Sequence, residues 1–346
     1  MKKILHKQEI EDIIVGATLL GAGGGGSPKT GLLLLKDISE VTLFDLEEIP
    51  DDSHIAVVAG MGSPVVLSRI GWKGEEITAL EKLQEITGTK FDFVVPVETG
   101  GFNSVTPLHA GALKGLPVVD ADGAGRAVPE LQMTTFHTYG VSASPIVLAD
   151  RSGNSAVLYA SDTFKGERLA RAVTAELGMQ VGIACYTMTG KQLKMSAIPS
   201  ALSIAENVGR TIRKAKENRE DIAASVTRAV NGTLLAMGTV SKKIEEVKAG
   251  FDYGKVFVED VVVDYKNENM IAWKDGKPIA MVPDLICWLR IDGEPLTNVE
   301  IQEGMEVAII GIKAHEKWHT QNGFNVFKHV LKTIGYDGEY ESIDIH

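Results

Sequence analysis

Four carboxylates and an arginine crowd one short stretch of this chain: Glu98, Asp120, Asp122, Arg126 and Glu130 fall within 33 residues. Carboxylates held close together repel, so such a cluster implies a shared proton, a bound cation or an arginine partner. A proton passed between carboxyls is general acid–base chemistry, with Glu98, Asp120 and Asp122 as the catalytic candidates. A cation would be a divalent metal such as zinc, for which Asp120, Asp122 and Glu130 are the candidate ligands. Arg126 suits either a carboxylate of the cluster or an anionic ligand gripped by two parallel hydrogen bonds. The bland alternative is that Asp and Asn here cap helices and shape turns, Asp120 or Asp122 capping a helix that begins near Arg126.

The elements around these residues decide between scatter and convergence. Two apolar runs, Phe93–Val97 and Leu116–Val119, each stop at acidic, glycine-rich sequence: Glu98-Thr-Gly-Gly-Phe-Asn103 and Asp120-Ala-Asp-Gly-Ala-Gly-Arg126. Between them Thr106-Pro107 opens a helical pattern, with proline at the first helical position, where its missing N–H costs nothing. Strand–helix–strand gives a parallel pair whose carboxyl ends lie on one side of a sheet, where ligands of open α/β sheets bind. Glu98, Asn103, Asp120, Asp122 and Arg126 would converge there.

The rest of the chain predicts an α/β fold, a mainly parallel sheet with helices, followed by a β-rich second domain. Helices are expected at Ile10–Ala17, Glu75–Thr87, Thr163–Leu177 and Ser200–Glu217, and strands at Val41–Leu46, His54–Ala59 and Gln180–Tyr186. After Gly232 the period changes to short strand-like runs separated by Asn267-Glu-Asn269, Lys274-Asp-Gly276 and Asp292-Gly293. The expected division is 1–231 for the α/β domain carrying the site, 232–314 for the β-rich domain, and 315–346 for a C-terminal segment packing back on the first.

Two louder motifs lose on context. Gly21, Gly23 and Gly26 spell a dinucleotide fingerprint, but a helix precedes them where the fingerprint needs a strand. What remains is a loop of backbone N–H groups, including those of Gly24 and Gly25, running into a short helix capped by Ser27-Pro28. It suits an anionic group, or serves as a tight turn permitting close packing. His315-Glu-Lys-Trp-His319 spells the zinc-protease H-E-x-x-H, which works only on a helix. Here a strand pattern precedes it and Thr320-Gln-Asn-Gly323 reads as a turn.

Bulk properties exclude whole classes. A net charge of −11 and no basic patch argue against nucleic acid. No apolar run approaches the roughly 18 residues that span a bilayer, and the basic start has no apolar core of a signal peptide behind it. Cys185 and Cys287, both inside apolar runs, read as reduced buried thiols, so a cytoplasmic protein is expected; its expected partners are a small-molecule substrate and further copies of itself in a homo-oligomer.

Several segments together resemble the S-methyl thiohydantoin desulfurase domain family: Gly21–Pro28, Pro96–Asn103, Val118–Arg126, Pro129–Thr135, Lys266–Asn269, Val282–Ile286 and Gly293–Thr297. The resemblance spans almost the whole chain and implies the same two-part fold. It implies hydrolysis of an S-methylated thiohydantoin bearing a propionate arm, as arises in degradation of alkylated ergothioneine, to the hydantoin and methanethiol. On that footing Glu98 or Asp120 is the expected base. Asn103 and Gln132 would contact the ring, and Arg126 or the amides of Gly24 and Gly25 the propionate. A non-catalytic hydantoin-binding regulatory subunit and a ring-opening hydantoin amidohydrolase are the alternatives.

Overall fold

A computed structural model describes residues 2–248 and 250–343, with the backbone alone at residues 64, 65 and 68. The final three residues of the expected C-terminal segment lie outside the described residues. The first sheet contains β1 (Lys3–His6), β2 (Glu40–Asp45), β3 (His54–Gly62), β4 (Phe93–Pro96), β5 (Val118–Asp122), β6 (Ile146–Ala149), β7 (Ser155–Leu158), β8 (Gln180–Thr189) and β9 (Ile198–Pro199). Its helices are α1 (Lys7–Leu20), α2 (Pro28–Leu34), α3 (Pro64–Ile70), α4 (Glu75–Thr87), α5 (Thr106–Lys114), α6 (Thr135–Thr138), α7 (Thr163–Glu176), α8 (Gly190–Ser196), α9 (Ala201–Asn218) and α10 (Ile222–Ala229).

The four central strands β2, β5, β4 and β3 run parallel, and β1, β8, β6 and β7 continue the sheet antiparallel on either side. The expected strand–helix–strand unit is β4–α5–β5, with Val94 registered on Val118. Alternation along the strands sorts side chains to two cores. Ala56, Val58, Val94 and Val118 pack with α1, α4, α5 and α9 on one face, while Ile55, Val57, Val95 and Val119 pack with α6, α7 and α8 on the other. Covering both faces is what a parallel core demands.

The second sheet is wholly antiparallel: β10 (Thr233–Lys248), β11 (Phe251–Val258), β12 (Val261–Lys266), β13 (Glu268–Lys274), β14 (Lys277–Met281), β15 (Leu285–Arg290), β16 (Pro295–Leu296) and β17 (Glu306–Ile312). The fold is therefore the expected α/β sheet plus β-rich part. Strand β10 runs twice as far as Thr233–Val240: its first half pairs with β17 and its second half with β11, with a bulge near Val240. The run Lys255–Tyr265 is two strands, turned at Glu259, which holds a φ of 50°. Leu285, Cys287, Leu289, Ala308 and Ile310 share one buried cluster with α1, so helix α1 is packed by both sheets.

The stretch Thr320-Gln-Asn-Gly323 is not a turn. Thr320 caps α11 (Gln321–Thr333), its hydroxyl accepting from the Gly323 amide at 3.0 Å. Val326, Phe327, Val330 and Leu331 bury one face of this helix against Trp318, Met133 and Met270. Residues 316–318 form one 3₁₀ turn, so His315 and His319 share no α-helical face, and the rejected zinc-protease spelling has no helix to work on.

Candidate active site at the junction of the two sheets

The parallel strands end where the second sheet meets them, and a cleft of about 130 Å³ opens there. Its walls come from the glycine loop 23–26, the ends of β3 and β4, the loop 128–131, Arg171 of α7, and Tyr265, Asn267 and Glu268 of the β domain. Of the residues anticipated from sequence, Glu98, Asn103, Gly24, Gly25 and Glu130 are gathered on this cleft.

Glu98 lies two residues past the end of β4 and is buried. Asn103 Nδ2 donates to Glu98 Oε1 at 2.6 Å, and the Val128 amide donates to Oε2 at 2.6 Å. Asn103 is itself fixed, because its Oδ1 accepts from the Gly60 amide at the end of β3 at 2.9 Å. Burial pushes the Glu98 carboxyl up to about 7 against these two donors, which favour its ionised form.

The partner carboxyl was not anticipated. Glu268, at the start of β13, is 4% exposed and lines the same cleft, and its Oε2 has no hydrogen-bond partner. Burial and then the charge of Glu98 raise it to about 8, with Arg126 acting the other way. Two buried carboxyls with neighbouring values titrate as a pair holding about one proton near neutral pH. The glycine run makes room for them. A Cβ on Gly24 would lie 2.1 Å from Glu268 Oε1, and one on Gly25 2.5 Å from Gly100 Cα, where φ is already +72°. Among the described residues no intramolecular acceptor meets the amides of Gly25 and Gly26.

The structure places the other anticipated residues away from the cleft. Asp120 turns to the first turn of α9, accepting from the Leu202 and Ser203 amides at 2.9 and 3.0 Å and from the Ser203 hydroxyl at 2.5 Å. Asp122 closes its own turn, accepting from the Ala124 and Gly125 amides at 3.0 and 2.7 Å and from the Thr99 hydroxyl at 2.6 Å. Burial raises both carboxyls, Asp122 to about 6. Arg126 faces no open space: its guanidinium donates to the carbonyls of Ala127, Asp284 and Asn269 at 3.0, 2.6 and 2.7 Å. Gln132 donates to Glu130, which also holds Lys266 and, at 3.0 Å, His329. Burial alone would raise Glu130, but His329 and Lys266 outweigh it and hold the carboxyl at about 2.

The carboxylates anticipated as metal ligands thus point to three different places, and no three His, Cys, Asp or Glu side chains come together as a metal site among the described residues. The cationic side chain on the cleft wall is Arg171. Its Nε donates to Glu167 at 2.5 Å and one terminal nitrogen to Pro129 O at 2.8 Å, with the guanidinium 4.9 Å above the Phe251 ring. Cys185 and Cys287 are fully buried, and burial raises both thiols, consistent with core packing. No helix among the described residues is long and apolar enough to cross a membrane.

An α/β sheet joined to an antiparallel β domain, with two buried carboxyls lining the cleft between, defines a two-part protein. The chain belongs to the S-Me-THD-like family: the model of its N-terminal domain matches residues 8–160 and that of its C-terminal domain residues 160–343. A crystal structure of a protein from Chromobacterium violaceum is similar throughout, with 26% identity, 99% of this chain and 100% of that chain covered, and a TM-score of 0.87. No curated protein matches the chain.

Proposed function

We propose that the chain is a hydrolase acting on a hydantoin-like ring, removing sulfur from an S-methylated thiohydantoin propionate to give the hydantoin and methanethiol. Family membership supports the thiohydantoin substrate class. The observation that carries the reaction type is the buried Glu98–Glu268 pair on the cleft wall.

The reacting carbon sits between two ring nitrogens and carries the S-methyl group. The ionised carboxylate of the pair takes a proton from water as its oxygen bonds to that carbon, and the protonated carboxyl gives its proton to the ring nitrogen. The tetrahedral adduct then collapses. Its hydroxyl proton returns to a carboxylate, the C–S bond breaks, and methanethiolate leaves with the proton held by the other carboxyl. One water is consumed and one methanethiol released. A general acid or base contributes about 10²–10⁴-fold each. Asn103 holds Glu98 by a hydrogen bond, and the Gly25 and Gly26 amides and Arg171, on the cleft wall, would take the anionic arm.

Methanethiol release from such a substrate, trapped with a thiol reagent and paired with mass spectrometry of the product, tests the reading. The expected product has lost sulfur with its ring closed. A product that has gained water and kept sulfur would make the chain a ring-opening amidohydrolase, and tight hydantoin binding without turnover would make it a binding subunit.

A further inference from the structure

Arg126 is among the largest fully buried side chains, 0% exposed, and makes no hydrogen bond to a carboxylate. An isolated buried cation is costly, so its position needs an electrostatic reason. Its three acceptors are backbone carbonyls, and two of them belong to the segments that hold the carboxyl pair. Ala127 precedes Val128, whose amide holds Glu98, and Asn269 follows Glu268. The Arg126 carbonyl also accepts from the Thr99 amide, next to Glu98, at 3.2 Å.

We propose that Arg126 is a positioning residue for the Glu98–Glu268 pair: it ties together the backbone segments that carry both carboxyls and supplies the fixed buried positive charge that keeps one of them ionised. The inference rests on the pair being the acid–base centre. Glu268 is the acidic group acting most strongly on Arg126, ahead of Cys287, Asp284 and Glu98. Asp284 is a weaker counter-charge with donors of its own, the Ala314 and Ile343 amides and the Tyr340 hydroxyl. The other charged groups facing the pair are Asp122, which opposes ionisation of Glu98, and Arg171, which favours ionisation of both glutamates. Burial itself pulls the guanidinium down to about 10, still charged at neutral pH. A mere structural clamp would stabilise the junction without setting the proton content of the pair.

Infrared titration of the full chain with isotope-labelled glutamate follows the protonated carboxyl band without turnover. In Arg126→Met the ionisation midpoint of the pair is expected to rise by about one pH unit or more, with Arg126→Lys recovering part of it. A midpoint unmoved in folded Arg126→Met overturns the inference. Should that variant not fold, Glu98→Gln and Glu98→Gln/Arg126→Gln give the answer. Removing the like charge lowers the Glu268 midpoint and loss of the Arg126 charge raises it again, whereas no difference between the two overturns the inference. A shifted midpoint in a protein that releases no methanethiol leaves Arg126's role standing while the desulfurase reading fails. Turnover with an unmoved midpoint is the reverse.

Discussion

Glu98 lies two residues past a strand of one sheet, Glu268 begins a strand of the other, and burial and then the charge of Glu98 raise the Glu268 carboxyl in the cleft they share. Burial by itself raises each carboxyl. Placed together away from water, both carboxyls are raised towards neutral pH.

Removing either member should therefore remove acid–base catalysis. We expect Glu98→Gln and Glu268→Gln each to lower kcat for methanethiol release by about 10²–10⁴-fold, and the double variant to lose much less than the product of the two, since they act as one unit. The wild-type rate should be bell-shaped in pH, because the singly protonated pair peaks between about 7 and about 8. Near-wild-type rates in both single variants would exclude the pair as the centre.

The same groups set the pH dependence of stability. Glu98 and Glu268 have native values above the ordinary 4.5, so the folded chain binds more protons than the unfolded one between that value and about 8. Their contribution is present below 4.5 and is lost as pH rises through 7 to 8. Glu130 acts oppositely, contributing above 4.5 and losing that contribution as pH falls towards about 2. Thermal melts should give a wild-type Tm that declines from pH 5 to 8, with a flatter decline in Glu98→Gln/Glu268→Gln. An equal decline in both proteins would contradict this.

Adjacent glycines should respond differently. At Gly24 the atoms nearest an added Cβ are Oε1, Cδ and Cγ of the Glu268 side chain, at 2.1, 2.5 and 2.5 Å, and no positive φ forbids it. Gly24→Ala should fold with a smaller loss than Gly25→Ala, because a side chain rather than backbone must move, yet cut kcat more than tenfold by displacing Glu268. Gly25→Ala confronts backbone at Gly100 together with a left-handed φ, and should cost about 2 kcal/mol or more in denaturant unfolding. Equal stability of the two variants would mean the loop is looser than described.

Asp120 separates the sequence reading from the structural one. Its carboxylate caps α9, so Asp120→Ala should cost about 1–2 kcal/mol in urea unfolding while kcat per folded molecule stays within about twofold. A thousandfold loss of kcat in a stably folded Asp120→Ala protein would restore it as the base.

Much of this was legible in the chain. Apolar runs ending in carboxylates located β4, β5 and Glu98, and Ser27-Pro28 marked the start of α2 through its cap. Proximity in sequence also misled, because Asp120 and Asp122 share Glu98's neighbourhood yet have amide donors within reach that claim them. Glu268 carried no local signal beyond an acidic residue in Asn267-Glu-Asn269, since its meaning comes from a second sheet folding over the first. Arg126 looked like a ligand anchor because sequence cannot show that three backbone carbonyls surround it. The helical spacing of Phe327, Val330 and Leu331 was available in the sequence, but polar Thr320-Gln-Asn-Gly323 hid the cap that opens their helix.

One consequence follows from β4 and β13 belonging to different sheets. Sliding the sheets apart by the width of a water layer would rehydrate both glutamates and return them to ordinary surface acidity. Acid strength in this protein is thus a measure of how closely the two sheets meet.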